Sequence, residues 1–428
     1  MDDPSVPLLV EESSLRLGPL GLRQFRVFFV GTILANLAQW MQQFAMGWLV
    51  VQLAVGEGTP ERASLYLGLI GLARLVPTII VGFVAGVAAD RYNRAGLLVA
   101  MQMSLAVVVG ATGYLTLIGR IDIVLAMIST ALLGVAFPFD APARLSLVQT
   151  IVGPGQAFSA IGMIRVARQA ASIIGPLIGG IVILWFGVGG VMLVNSALFL
   201  AAGFGLGRLA SVPGVPVEEG FSAVKSFREG LGYVAGAPRL RGLMAVNVVI
   251  NAFAWSFTQL LPAVAQETLH VGALELSWLV SAAGVGAVLG ALVVLALGQG
   301  RRFGYTMFVA VFALGVFLVL FGLQRLVMPA LVLAALIGAM GMVFLAGSGN
   351  VIQMSAPNEL RGRVVGLHSM LGNSAVQLGI LILGTVGSFI GISNALSLAG
   401  IAVLTTACVM LRVPAIREAS RAVVAASS

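Results

Sequence analysis

The sequence predicts an all-α integral membrane protein whose twelve transmembrane helices form two pseudo-symmetric six-helix bundles. Three observations lead there. Of 428 residues, 59% are hydrophobic and 9% charged, with a mean hydropathy of +1.05, a composition outside the range of soluble domains. Apolar runs bounded by Gly, Pro or charge fall at 27–54, 65–89, 96–118, 123–139, 157–184, 188–210, 241–266, 276–298, 304–323, 328–351, 365–388 and 393–413; about 20 apolar residues of helix cover the ~30 Å of bilayer hydrocarbon. The two halves also echo each other. At an offset of 204 residues Gln149, Gly162, Ala171 and Gly175 return as Gln353, Gly366, Ala375 and Gly379, and Gly82 and Gly86 return as Gly286 and Gly290. At an offset of 215, Asn36 and Trp40 return as Asn251 and Trp255. Such joint matches indicate a duplicated six-helix unit.

Taken in order, residues 1–26 carry acids and arginines without a short apolar core or a small-residue cleavage site, so a cytoplasmic tail is expected there and no cleavable signal. Residues 27–210 form the first bundle. The segment 211–240, with the amphipathic pattern "FSAVKSFREGLGYV", is a linker lying on the cytoplasmic face, 241–413 form the second bundle, and 414–428 a cytoplasmic tail. When loops alternate across the membrane, eighteen basic residues fall on the side of the termini and three, Arg62, Arg120 and Arg325, on the other. The positive-inside rule then places both termini in the cytoplasm, and topology accounts for the net charge of +8 without nucleic acid. One cysteine permits no internal disulfide, and two histidines without cysteine companions give no structural metal site. No cofactor is expected. The only lysine, Lys225, follows valine, so no Gly-Lys phosphate loop exists for ATP, and no nucleophile–base or metal-ligand cluster suggests an enzyme.

Within the first run, "NLAQWMQQF" places Asn36, Gln39, Trp40 and Gln43 on one helical face at spacings i, i+3, i+4 and i+7. Unpaired amides in lipid cost several kcal/mol, so that face looks onto protein or water. Asn251 and Trp255 rebuild the pair in the seventh run, and Gln259 extends it. Helix–helix hydrogen bonding is the alternative reading of such amides. In the eleventh run Ser369, Asn373 and Gln377 are spaced by four, the first two matching Arg165 and Gln169 at the repeat offset. Charged residues inside spans are functional by default. Arg165 lies only about 12 Å along its helix, within reach of the interface by snorkelling, and Arg168 is a turn deeper. Either one, if it faces a cavity, favours an anionic group on a solute. Arg74 lies about 13 Å from the outer end of the second run, where it pairs with substrate or holds the second helix to the eleventh. His368 is a proton carrier or a structural donor.

The loop after the second run, "GVAADRYNRAGLL", resembles that of the major facilitator superfamily: Gly86, Asp90, Arg91 and Arg94 match its pattern, Asn93 stands for the turn glycine and Ala95 for a basic residue. Asparagine tolerates the left-handed conformation of that turn. In the fifth run Gly162, Ala171, Gly175, Pro176, Gly179 and Gly180 fit the spacing of the superfamily's efflux motif, with alanine for one glycine; small residues four apart let helices approach closely, and the proline marks a bend. "FDAPARLSLV" and "APNELRGRVVGL" resemble the branch that contains bacterial enterobactin and macrolide exporters, the transmembrane secretion effectors.

The resemblance implies that the first and seventh helices line a central cavity, so the amide and indole stripes hold an amphipathic solute by stacking and hydrogen bonds. It also implies that Asp90 meets the start of the eleventh helix, with Arg91, Arg94 and Arg144 completing an ionic latch between the halves. None of the sixteen acids sits mid-helix by this reading; the nearest are Asp140, at the inner end of the fourth run, and Glu267, at the outer end of the seventh. The expected function is export of a small drug- or siderophore-like amphipath by alternating access in a functional monomer, with protons as coupling ion. A lipid or lysolipid carrier and a non-transporting assembly or sensor protein on the same scaffold are the alternatives.

Overall fold

The structure, a computed structural model, describes residues 18–91, 93–209, 223–297, 303–357 and 360–410, without the side chains of 83–91, 141, 142, 223–227, 239, 297, 303 and 304. Every regular element among the described residues is helical. The first half comprises α1 (Arg23–Gly56), α2 (Ala63–Arg91), α3 (Arg94–Leu117), α4, α5 (154–186) and α6 (188–207). In α4, Ile123–Ala136 passes through a 3-10 turn at Phe137–Phe139 and continues over 140–152. A linker helix, Ala223–Gly236, leads to α7 (238–269), α8 (Ala273–Leu297), α9 (Phe303–Leu323), α10 (Val327–Ser355), α11 (Arg361–Ile390) and α12 (Ile392–Met410).

Nine helical runs among the described residues are long and apolar enough to cross a bilayer, and one of them is the run 123–207. That run is broken twice, at Gly153 (φ 70°) and Gly187 (φ 66°). Positive φ is cheap only without a Cβ, and Pro154 after the first break suits the opening turn of a helix. With those two breaks, and with α1, 34 residues long and diluted by its polar stripe, the arrangement is consistent with twelve spans. Many large side chains outside the core are exposed, among them Phe158, Trp185, Phe204 and Phe389, as expected of a surface facing lipid tails.

α4 differs from its sequence reading. The apolar run stops at Asp140, but the helix goes on, because Asp140 and Arg144 stand one turn apart and bond each other at 2.6 Å. Asp140 is therefore inside a helix and not at its end.

The two halves meet on the side away from the chain termini. A Cβ on Gly68 would lie 2.9 Å from the Leu381 Cα, one on Gly180 would lie 2.6 Å from Ser277, and one on Gly47 would lie 2.9 Å from Pro262. Gly384 likewise packs on the Ser64 carbonyl. These pairs join α2 to α11, α5 to α8 and α1 to α7, so close approach of the halves depends on small residues at the contact. Pro176 has no N–H for the carbonyl one turn before it. Beside that gap, Ser281 of α8 donates across the halves to the Ile173 carbonyl at 2.7 Å. On the termini side the linker helix is held to the start of α11 by an ion pair between Glu229 and Arg363.

Candidate substrate cavity

Between the halves lies a cavity of about 510 Å³, walled by α1, α5, α7, α8, α10 and α11. A smaller chamber of about 90 Å³ sits beyond it, toward the closed side. Trp40, Gln43, Thr258, Gln259 and Val280 line both, so the two spaces adjoin.

The α1 stripe divides. Gln39, Trp40 and Gln43 face these chambers. Asn36 does not: it is 5% exposed and turned into the first bundle, against a small void shared with Gln102, Asp140 and Arg144. On α7, Asn251 and Trp255 line the larger chamber and Gln259 both. Asn251 and Trp255 are the ends of a π-helical turn, and single π turns recur at functional sites. Asn251 donates to both the carbonyl and the side-chain oxygen of Asn247 at 2.8 Å, and Asn247 donates to the His368 carbonyl at 3.3 Å. From α11, Asn373 and His368 line the larger chamber and Gln377 the smaller. The Gln377 Oε1 and Trp255 Nε1 atoms are buried with no hydrogen-bond partner among the described residues, and buried polar atoms normally have one.

The arginines separate by role. Arg168 lines the larger chamber with its side chain 55% exposed, and its Nη2 lies 4.0 Å from Asp140 Oδ2. Arg74 lines the smaller chamber, its guanidinium 4.6 Å from the centre of the Phe137 ring, a cation–π distance. Arg165 is exposed and is not among the residues lining either chamber. Arg144 is not at the mouth in this conformation. It is 6% exposed within the first bundle, with Nε on Asp140 and Nη1 donating to Thr32 Oγ1 at 2.9 Å.

Of the remaining gate residues, the side chains of Gly86, Asp90 and Arg91 lie outside the described residues, and Arg94 opens α3. Asn93 has φ −59°, not a left-handed turn; its Oδ1 accepts from the N–H groups of Ala95 and Gly96 at 3.0 and 3.2 Å. It thus serves as an N-cap, which asparagine does at least as readily.

The efflux-motif residues on α5 are shared between two partners. A Cβ on Gly175 would lie 2.8 Å from the Trp40 Cβ, and one on Gly179 2.9 Å from the Phe44 ring, so both hold α5 against α1. Gly180 faces α8 of the other half, Ala171 is buried, Pro176 lies inside the helix, and Gly162 has open space around it.

Sequence reasoning missed Asn247 and Thr258. They continue the α7 stripe, Asn247 at i−4 from Asn251 and Thr258 at i+3 from Trp255, so the spacing held the signal, but neither is matched by an identical residue in α1. Gln102 was also missed. It is fully buried on α3 and both its amide atoms lack a partner among the described residues.

A helical membrane protein whose two halves close on one side and enclose a polar and aromatic chamber on the other is, by architecture, a transporter of small solutes. The chain belongs to the transmembrane secretion effector family of major facilitator transporters, whose family model matches residues 14–427. It is 30% identical to the multidrug efflux pump Tap of Mycobacterium tuberculosis strain H37Rv over 413 residues, 92% of this chain and 94% of that one. It is 26% identical to the enterobactin exporter EntS of Shigella flexneri, over 77% of this chain and 78% of the other. The fold matches the crystal structure of a bacterial homologue of the human lysosomal transporter Spinster with a TM-score of 0.71 at 13% identity, covering 93% and 97% of the two chains. Proteins of this family and fold are transporters and not enzymes.

Proposed function

We propose that the protein exports a small amphipathic solute, drug- or siderophore-like, from the cytoplasm by rocking of two six-helix bundles, 27–210 and 241–413, driven by the proton gradient. The observation that carries this is the asymmetry of the interface: the halves touch through Gly47, Gly68, Gly180 and Gly384 on one side, while the 510 Å³ chamber lies toward the other. The chamber side carries the basic excess, which makes it cytoplasmic in a bacterial inner membrane, with both termini, the linker 211–240 and the tails 1–26 and 414–428 on that face. On that assignment the molecule is captured open to the cytoplasm. The chamber falls in the volume range of small-molecule sites, and its mix of indoles with amides suits a solute that is part aromatic and part polar. The names of the relatives Tap and EntS support efflux as the direction. The protein acts as a monomer, because each chain encloses its own cavity.

The return stroke is gated by Asp90, Arg91 and Arg94 against the start of α11. Two conformations must lie close in energy for alternating access, so the latch supplies only a few kcal/mol. The test is accumulation of amphipathic dyes in cells expressing wild type or Asp90→Asn, with and without a protonophore. Lower accumulation that needs both Asp90 and the proton gradient is the expected result. No difference for any dye, at equal expression, overturns energised export of amphipaths and favours a lipid carrier or a non-transporting protein.

A further inference from the structure

The charge inventory of the cavity is one-sided. Arg168 lines the larger chamber and Arg74 the smaller, and among the described residues no Asp or Glu lines either. Compensation is incomplete at both. Arg74 makes no ion pair among the described residues and rests on the Phe137 ring. Arg168 shares Asp140 with Arg144, and the shares are unequal: Arg144 binds one carboxylate oxygen at 2.6 Å with both residues buried, whereas Arg168 stands 4.0 Å from the other oxygen with more than half its side chain exposed. One carboxylate therefore serves two guanidiniums, and the surplus positive charge is the one presented to the chamber.

On the reading of the protein as a solute exporter, we infer that the transported amphipath carries an acidic group, such as a carboxylate or sulfonate, which docks on Arg168 while its aromatic body lies between Trp40 and Trp255. A guanidinium matches an oxyanion with two parallel donors. Arg168 can turn to such a group without stranding Asp140, which keeps Arg144. Asn373 and Ser369 line the same chamber and supply further donors. Cations find a weaker site here. Their attraction to indole faces is a short-range quadrupole effect, and it is opposed by the positive charges of Arg168 and Arg74.

Two xanthene dyes of similar size separate charge from shape: fluorescein, an anion, and rhodamine 6G, a cation. Binding to the purified full-length protein is read by fluorescence anisotropy, and clearance is read in dye-loaded cells. Wild type is expected to bind fluorescein about tenfold tighter than rhodamine 6G, and to clear it faster. Arg168→Gln should weaken fluorescein about tenfold and leave rhodamine 6G unchanged or improved, with Arg168→Lys intermediate. Raising the salt concentration should weaken fluorescein alone in wild type, a readout that needs no variant to fold. Equal affinity for the two dyes, tighter rhodamine 6G, or equal loss of both in Arg168→Gln overturns the acidic-substrate inference while export stands. Failure to bind or clear either dye overturns the export reading itself, and this inference with it.

Discussion

At repeat-related levels the two halves bury polar atoms in different ways. In the first, Arg144 donates to Thr32 and Asp140, an ionic cluster enclosed by α1, α3 and α4. In the second, the residue at the position of Thr32 is Asn247 and that at the position of Arg144 is Ser348; Asn251 donates to Asn247, Asn247 reaches the His368 carbonyl, and no charged side chain among the described residues takes part. The ionic cluster depends on complete pairing, because a buried charge that loses its partner has no substitute. The amide network is neutral and makes shorter-range demands. Its helix also carries π turns at Asn251–Trp255 and Val264–Leu269, whereas its counterpart α1 is regular α-helix over Arg23–Gly56. The comparison teaches that the halves share the tryptophan facing the cavity, Trp40 and Trp255, while the amides around it and the layer behind it differ.

The largest expected effect breaks the ionic side. Arg144→Met leaves Asp140 buried against only the distant Arg168, and should cost about 3–5 kcal/mol of stability, read as a large fall in the midpoint of thermal unfolding in detergent. The double variant Asp140→Leu with Arg144→Met should recover most of that loss, since apolar replacement of a buried pair is often neutral. A single variant as stable as wild type would mean the cluster is solvated and the contrast between halves is false. The amide side should be gentler. Asn251→Leu strands the Asn247 oxygen and removes two hydrogen bonds, for about 1–3 kcal/mol. An effect as large as that of Arg144→Met would show that charge is not what distinguishes the halves.

Much of this was legible in the sequence. The apolar spans follow from hydropathy, the halves from the repeat, and Gln39, Trp40, Gln43, Asn251, Trp255 and Gln259 as chamber-lining residues from helical spacing. Long-range pairing was not. Hydropathy ended the fourth helix at Asp140 because it scores residues singly, whereas Asp140 and Arg144 neutralise each other. Asn36 shares a face with Trp40 by spacing, yet it lies a turn lower, where α3 and α4 cover that face. Nothing local marks the π turn in α7, whose residues pack chiefly on α11 and α12. That Gly180 meets the opposite half while Gly175 and Gly179 meet their own is likewise a property of the packed bundle.

The smallest expected effect tests the feature the halves share. Trp40 and Trp255 occupy equivalent positions, and both line the larger chamber. Removing either ring should weaken a bound aromatic solute by about 1 kcal/mol, close to fivefold in affinity, and the two losses should be alike. Trp40→Ala carries a complication, because Gly175 packs on the Trp40 Cβ; alanine keeps that atom, so the contact of α1 with α5 survives and stability should hold. The Trp255 ring lies beside Gly341 of α10, and Trp255→Phe keeps most of the ring while deleting the unpartnered Nε1. Equal affinity losses in Trp40→Ala and Trp255→Ala, with Trp255→Phe near wild type, would assign stacking to both halves. A loss confined to one tryptophan would place the aromatic body of the solute against that half alone, and the preserved pair would then be shared ancestry without shared use.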